Sequence, residues 1–155
     1  MQKLWAEPHV NFKGKWHTIE DAGINPRPGS GKVPVWFGGH HERTLPRIAK
    51  WGDGWMPNAY QPDQSALDVF GQLRRLTEEA GRDPAKVGIE VWVSMGTGTE
   101  ADWAKESRFW KAAGATHLCL TTTFNRRHHR RIPGDAIGDH LAALRRYHSA
   151  VADQL

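Results

Sequence analysis

The sequence predicts an α/β protein made of four consecutive βα units, and three observations carry that prediction. Short apolar segments alternate with longer stretches whose apolar residues recur every three or four positions. The short segments are apolar enough to be covered on both faces, as the strands of a parallel sheet are. Residues 32–58 set a strand, two glycines, a helix and a second strand in succession. Alternation of this kind argues for parallel strands joined by right-handed crossovers. An open doubly wound sheet and part of a (β/α)₈ barrel both satisfy it. A whole barrel needs roughly 250 residues, so a chain of 155 supplies at most half of one.

Residues 1–8 read as the last turn of a helix stopped by Pro8, a start that suggests a truncated chain. Val10, Phe12, Trp16 and Ile19 are strand formers, and Lys13-Gly14 between them predicts a hairpin. The Gly- and Pro-rich stretch 21–32 has no period and reads as a loop. Val33 to Phe37 is the first buried strand, Glu42 to Trp51 its helix, and Gly54 to Pro57 the second strand. After Pro62 and Asp63 a helix runs from 64 to 80, with Leu67, Phe70, Leu73, Leu76 and Ala80 as its apolar stripe. Gly81 and the following Arg-Asp-Pro stop it. Val87 to Met95 alternates strictly and is the clearest strand. Thr99 with Asp102 forms a capping pair for a helix ending at Gly114. Thr116 to Thr122 is a fourth buried strand. Asp135 caps a last helix whose apolar face is Ile137, Leu141, Leu144, Tyr147 or His148, and Val151. One domain over 1–155 is expected, with 1–31 as helix end, hairpin and loop, and 32–155 as the four βα units.

The chemistry points to the Gly38-Gly39 turn. Without a Cβ, glycine takes positive φ and lets a ligand approach the backbone. The amides of Gly39, His40, His41 and Glu42 then stand at or before a helix N-terminus, where unpaired N–H groups and the dipole favour a phosphate. The plainer account is a tight turn whose glycines serve packing alone. His40 and His41 are placed for ring N–H contact with the same anion. Adjacent histidines are poor metal spacing on a helix, where ligands prefer i and i+4, and no metal is expected. Asn58, at a strand's C-terminal end, lies on the side where α/β enzymes place their sites. Asp53, in a Gly-Asp-Gly turn, is expected to satisfy local amides. Glu90, Trp92 and Ser94 share one strand face, with Glu90 expected to be structural. The run Arg126-Arg127-His128-His129-Arg130-Arg131 suits an anion, but a solvated loop is its expected state.

Pro-Val-Trp-Phe-Gly-Gly (34–39), a helix ending in Lys50-Trp51, and Gly-Asp-Gly-Trp-Met-Pro (52–57) together resemble the luciferase-like flavin- or F420-dependent oxidoreductases. The resemblance covers nearly the whole chain and implies the C-terminal half of a TIM barrel, strands five to eight, preceded by a β-hairpin insertion. It implies an oxidoreductase or monooxygenase whose cofactor, FMN or coenzyme F420, rests its phosphate on Gly38, Gly39, His40 and His41. The Gly-Asp-Gly-Trp-Met pattern favours F420. Trp55 and Met56 would border the flat ring, with Asn58 as a further contact. Pro46 and the basic run depart from the family pattern. The alternative is a catalytically inactive half-barrel fragment, or a module that associates with itself through open sheet edges.

Composition sets the outer bounds. Hydrophobic residues at 39% and charged ones at 25% are ordinary for a globular protein. A net charge of +4 fits an anionic cofactor and a small-molecule substrate. The basic run lacks interleaved aromatics and a nucleic-acid motif, so no nucleic-acid partner is expected. One cysteine, Cys119, excludes an internal disulfide framework. No apolar run reaches membrane-spanning length and no signal peptide is visible, so a cytoplasmic protein, away from membranes and forming homo-oligomers, is expected.

Overall fold

The computed structural model describes residues 1–58 and 60–154, which form two units: Met1–Val35, and a larger one beginning at Trp36. Leu155, the end of the expected domain, lies outside the described residues. In the first unit a one-turn helix α1 (Gln2–Ala6) precedes an antiparallel hairpin of β1 (Val10–Lys13) and β2 (Thr18–Ala22). Phe12 faces Ile19 and Lys13 faces Thr18. The turn is wider than Lys13-Gly14 suggests: the Gly14 amide donates to the His17 carbonyl at 2.9 Å. Trp16, expected in a strand, stands at the tip and is 78% exposed. An aromatic residue's β propensity yields here to the reach of the loop.

The second unit is a parallel sheet in the order β3 (Trp36–Gly38), β4 (Gly54–Met56), β5 (Gly88–Val93), β6 (His117–Leu120). A helix follows each strand in turn: α2 (Thr44–Trp51), α3 (Gln64–Glu79), α4 (Glu100–Ala113) and α5 (Ile137–Val151). Ile89, Val91 and Val93 on one face of β5 are buried. They share a core with Trp55, with Phe70 and Leu73 of α3, and with Trp103 and Trp110 of α4. The rings of Trp55 and Phe70 meet edge to face at 5.7 Å, a contact contributing about 0.5–1.5 kcal/mol beyond the area it buries. The other face of the sheet carries Trp36, Gly54, Gly88, Glu90, Trp92, His117 and Cys119. There the Trp36 indole lies flat over β4 and β5, and a Cβ on Gly54 or Gly88 would overlap it. Both glycines are therefore close-packing residues.

The helix ends follow local chemistry. Asp63 accepts from the amides of Ser65 and Ala66 at the start of α3. Thr99 and Asp102 cap α4 reciprocally, as the sequence predicts, and Gly114 closes it at φ 94°. Arg82 gathers the last carbonyls of α2: its guanidinium donates to Ile48 and Ala49 at 2.9 Å each and to Gly52 at 2.6 Å. That places a cation on the negative end of the helix and satisfies orphan acceptors.

Several expectations are corrected. β3 starts at Trp36, and Val33 is exposed, since no strand partner reaches that far back. α2 starts at Thr44 rather than Glu42, which puts Pro46 in the first turn, where its missing N–H has no intrahelical acceptor to lose. β6 covers only His117–Leu120 and is half-buried, because it is an edge strand. The cap of α5 falls at Ala136, whose amide donates to Asp139 at 3.1 Å; Asp135 instead pairs with Arg131. The buried face of α5 is Ala143, Tyr147 and Val151, while Ile137, Leu141 and Leu144 are exposed. On α3 the expected Phe70 and Leu73 are buried and Leu67 and Leu76 pack against the core, with Ala66 and Thr77 added to the buried face and Ala80 exposed. No helix among the described residues is long and apolar enough to cross a membrane.

Candidate functional site

The C-terminal ends of all four parallel strands open on one cavity of about 410 Å³. Gly39 and His40 follow β3, Asn58 follows β4, and Trp92 lies near the end of β5. The loop after β6 closes the far side with Phe124, Arg126, Arg127 and His129. The carboxyl ends of parallel strands are where α/β folds bind ligands, because the loops that follow can diverge there without disturbing the sheet.

The near wall is the glycine turn. Gly39 takes φ 94°, which an L side chain rarely adopts, and a Cβ on Gly38 or Gly39 would meet nothing within 4 Å. The backbone beside both is open. Among the described residues the amides of His40, His41 and Glu42 donate to no backbone acceptor. Trp55 holds the turn from behind: it is fully buried, and its Nε1 donates to the Gly39 carbonyl at 2.7 Å. His41 turns toward its own backbone, its Nδ1 accepting from the Arg43 amide at 3.1 Å.

The far wall is the basic run, whose four arginines are exposed, as expected of a solvated loop, while His129 alone is buried and His128 half-buried. Ile132 is buried, and the Ile132 amide donates to the Thr122 carbonyl at 3.0 Å. The Arg130 amide donates to Ser94 Oγ at 3.2 Å, while its guanidinium donates to the carbonyls of Arg127 and His129. These bonds fasten the loop over the end of β5. His129 is thereby driven inside, 3% exposed, with its ring 6.4 Å from Trp92 and 4.1 Å from His128. Among the described residues neither ring nitrogen of His129 has a hydrogen-bond partner. Burial, then the neighbouring His128 and Arg127, push its pKa down to about 4, so the ring is neutral near pH 7. Burial first, then Arg127 and Arg130, hold His128 below its usual value as well. Trp92 and Phe124 meet edge to face at 5.0 Å and form an aromatic floor. The Trp92 indole N–H reaches Glu90 Oε1 at 3.3 Å, giving Glu90 a positioning contact within its own strand.

Of the residues singled out from sequence, the structure brings Gly39, His40 and Asn58 to the cavity. Gly38 stands one residue before it in β3. His41, Trp55 and Met56 do not line it; Trp55 is on the core side of the sheet, and Met56 is half-buried on the other. Phe124 and His129 escaped sequence reasoning as site residues. The signal that could have found them is position: they follow the fourth strand, on the same side as the glycine turn. Among the described residues no three His, Cys, Asp or Glu side chains are grouped to hold a metal ion.

The family model for luciferase-like monooxygenases matches residues 1–154. The pyrimidine monooxygenase RutA of Allorhizobium ampelinum is 31% identical over 87 residues, 54% of this chain and 23% of that protein. Among solved structures, the monooxygenase RslO1 from Streptomyces bottropensis superposes with a TM-score of 0.64 at 14% identity, over 99% of this chain and 58% of its own. An F420-dependent secondary alcohol dehydrogenase, in complex with an F420–acetone adduct, gives 0.51 at 19% identity, over 97% and 50%. At such identities the structural likeness speaks for the fold. The chain spans about half the length of these two structures and a smaller share of the pyrimidine monooxygenase.

Proposed function

Because the chain belongs to the luciferase-like monooxygenase family, we propose that its cavity receives the anionic end of a flavin or deazaflavin cofactor, FMN or F420. The four βα units would then be half of a (β/α)₈ barrel. The observation that carries this reading is the pairing of an open glycine turn with two arginines across one cavity at the strand ends. Amides of His40 and His41 supply donors, Arg126 and Arg127 supply charge, and no carboxylate stands among the lining residues to oppose an anion. The open backbone at Gly38 and Gly39 is the space such a group needs. His40 and Asn58 are the side chains best placed to add contacts, with Trp55 supporting the turn from the core. When bound, the cofactor supplies hydride or oxygen chemistry, and the protein supplies position and electrostatics.

Separate fluorescence titrations with FMN and F420 test the reading. Saturable binding of either is expected, weakened by added phosphate; binding of neither overturns it. A second reading, self-association, has its own support: β3 and β6 are edge strands, and Trp36 and His117 stand on an inner face that is not sealed. Sedimentation would report it as a dimer whose dissociation follows concentration.

A further inference from the structure

Arg127 occupies a backbone position that suits glycine. The His129 amide donates to the Arg126 carbonyl at 3.2 Å, which closes a four-residue turn over 126–129. Arg127, the second residue of that turn, takes φ 60°, and His128, the third, has no positive φ. Positive φ at the second residue alone is the pattern of a II′ turn, where glycine is favoured because an L side chain is strained. Among the described residues Asp21 is the other case outside glycine, at φ 44°. An aspartate tolerates such backbone, and Asp21 is tied locally, its carboxylate to His9 and its amide to Asn11. Arg127 has no such tie: among the described residues neither its guanidinium nor that of Arg126 enters a hydrogen bond or ion pair. The other two arginines of the run are engaged. Arg131 pairs with Asp135. The Arg130 guanidinium donates to the Arg127 carbonyl at 2.6 Å and to the His129 carbonyl at 2.9 Å, and its amide donates to Ser94 Oγ. The Arg127 carbonyl belongs to the central peptide of the turn, so the first of these bonds sets the plane of that peptide. Arg126 and Arg127 line the cavity, and Arg130 is not among its lining residues.

We propose that Arg130 is a positioning residue for anion binding: it clasps the turn from behind, keeps Arg127 in left-handed backbone, and so presents the Arg127 guanidinium to an anion in the cavity. Strained backbone persists where its surroundings over-determine it, and such places cluster at ligand sites. Here the clasp is what over-determines it, and the return is a charged fork held in place before the ligand arrives. Arg127 makes the contact, and Arg130 acts only through it. The assignment rests on the cofactor reading in one respect, that the cavity takes an anion, and inorganic phosphate tests that respect without a cofactor.

Calorimetry with inorganic phosphate, and fluorescence titration with FMN and with F420, are run on the whole chain at low ionic strength. Arg127→Ala should weaken binding about tenfold or more, the loss of a charge-assisted contact. Arg127→Gly should lose the same affinity yet melt at least about 2 °C above Arg127→Ala, because glycine relieves the strained φ. Arg130→Met keeps the side-chain stem and removes the donors. It should weaken binding by a similar factor, although Arg126 and Arg127 remain. Added to Arg127→Ala, the same change should alter affinity less than about twofold, since two residues acting as one unit are not additive. Arg130→Lys, which can still reach a carbonyl, should recover part of the loss. If Arg130→Met disturbs folding, the Lys variant and the two Arg127 variants carry the test. Affinity unmoved in Arg127→Ala or in Arg130→Met, additive losses in the double variant, or a glycine variant no more stable than the alanine one would each overturn the proposal. Phosphate binding that needs both arginines, without binding of FMN or F420, would remove the cofactor reading and leave this inference standing. Cofactor binding indifferent to both would do the reverse, and no binding of any of the three would overturn both.

Discussion

Trp55 and Trp92 sit on adjacent strands, β4 and β5, and point to opposite faces of the sheet. Trp55 is sealed among Tyr60, Phe70 and the core, and its N–H is spent on the Gly39 carbonyl. Trp92 is half-buried, its N–H held within its own strand by Glu90, and its ring forms part of the cavity. The same side chain thus does two jobs, and the sheet face decides which. On the helix side, the described aromatic N–H groups of Trp55, Trp103 and Trp110 all have acceptors. Among the described residues the buried hydroxyls of Ser107 and Tyr147 on that side have no partner, and neither do the ring nitrogens of His129 at the strand ends. The difference between the faces therefore lies in the two tryptophans, one enclosed by the core and the other lining the cavity.

The strongest way to break the comparison is to truncate both tryptophans. Trp55→Ala should cost about 3–5 kcal/mol, as for other large core aromatics, and should loosen the turn by removing the donor to Gly39. Trp92→Ala should cost about 1 kcal/mol or less while weakening cofactor binding in the cavity that Trp92 lines. Denaturant midpoints and probe titrations on the two variants check this. Similar stability losses for both would mean that the two faces are not distinct.

Next in size is a pH effect confined to the cavity side. His129 has its pKa depressed to about 4 against an ordinary value near 6.5. The folded state therefore binds fewer protons than the unfolded chain between those values, and stability falls as pH drops through that window. The shift corresponds to roughly 2–3 kcal/mol by pH 4. His129→Phe should lack this component, so the difference between the two stability–pH curves isolates it from the carboxylates that titrate nearby. Parallel curves would place the imidazole in water instead.

These two faces were not equally legible. The core face announces itself wherever alternation is strict, as in Ile89, Val91 and Val93, and caps are readable where two residues suffice, as in Thr99 and Asp102. Periodicity locates most of the α3 face but misplaces half of the α5 face, whose apolar residues are broad enough to offer two stripes. Packing then chose Ala66 and Thr77 on one helix and Ala143 on the other, where small residues allow close approach. The result leaves Ile137, Leu141 and Leu144 outside. The glycine turn was legible because positive φ at Gly39 has a residue-type signature. His129 was not, since a histidine in a run of arginines looks solvated until Ser94 and the Thr122 carbonyl pull the loop over it.

A smaller effect separates the two glycines. Gly39 at φ 94° should resist any side chain: Gly39→Ala places an L residue in left-handed backbone and should cost about 1–2 kcal/mol. If the turn carries the cofactor anion, affinity for FMN or F420 should fall with it, because the amides that follow are re-aimed. A stable variant with unchanged binding would remove the positive φ from the argument.

Gly38→Ala should change stability least, and for that reason it says most about the ligand. Gly38 lies in β3, and its Cβ would meet nothing within 4 Å, so the methyl is accommodated without moving protein atoms. A Gly→Ala change at a compatible site narrows the unfolded ensemble, and the thermal midpoint should hold or rise, by up to about 1 kcal/mol of stability. The open space beside Gly38 is either solvent or the approach of an anion to the turn. If it is solvent, cofactor titrations on the variant will match the unsubstituted protein. If the anion needs that space, affinity should drop about tenfold or more with no loss of fold, the expected outcome for a backbone cradle that a single methyl can fill.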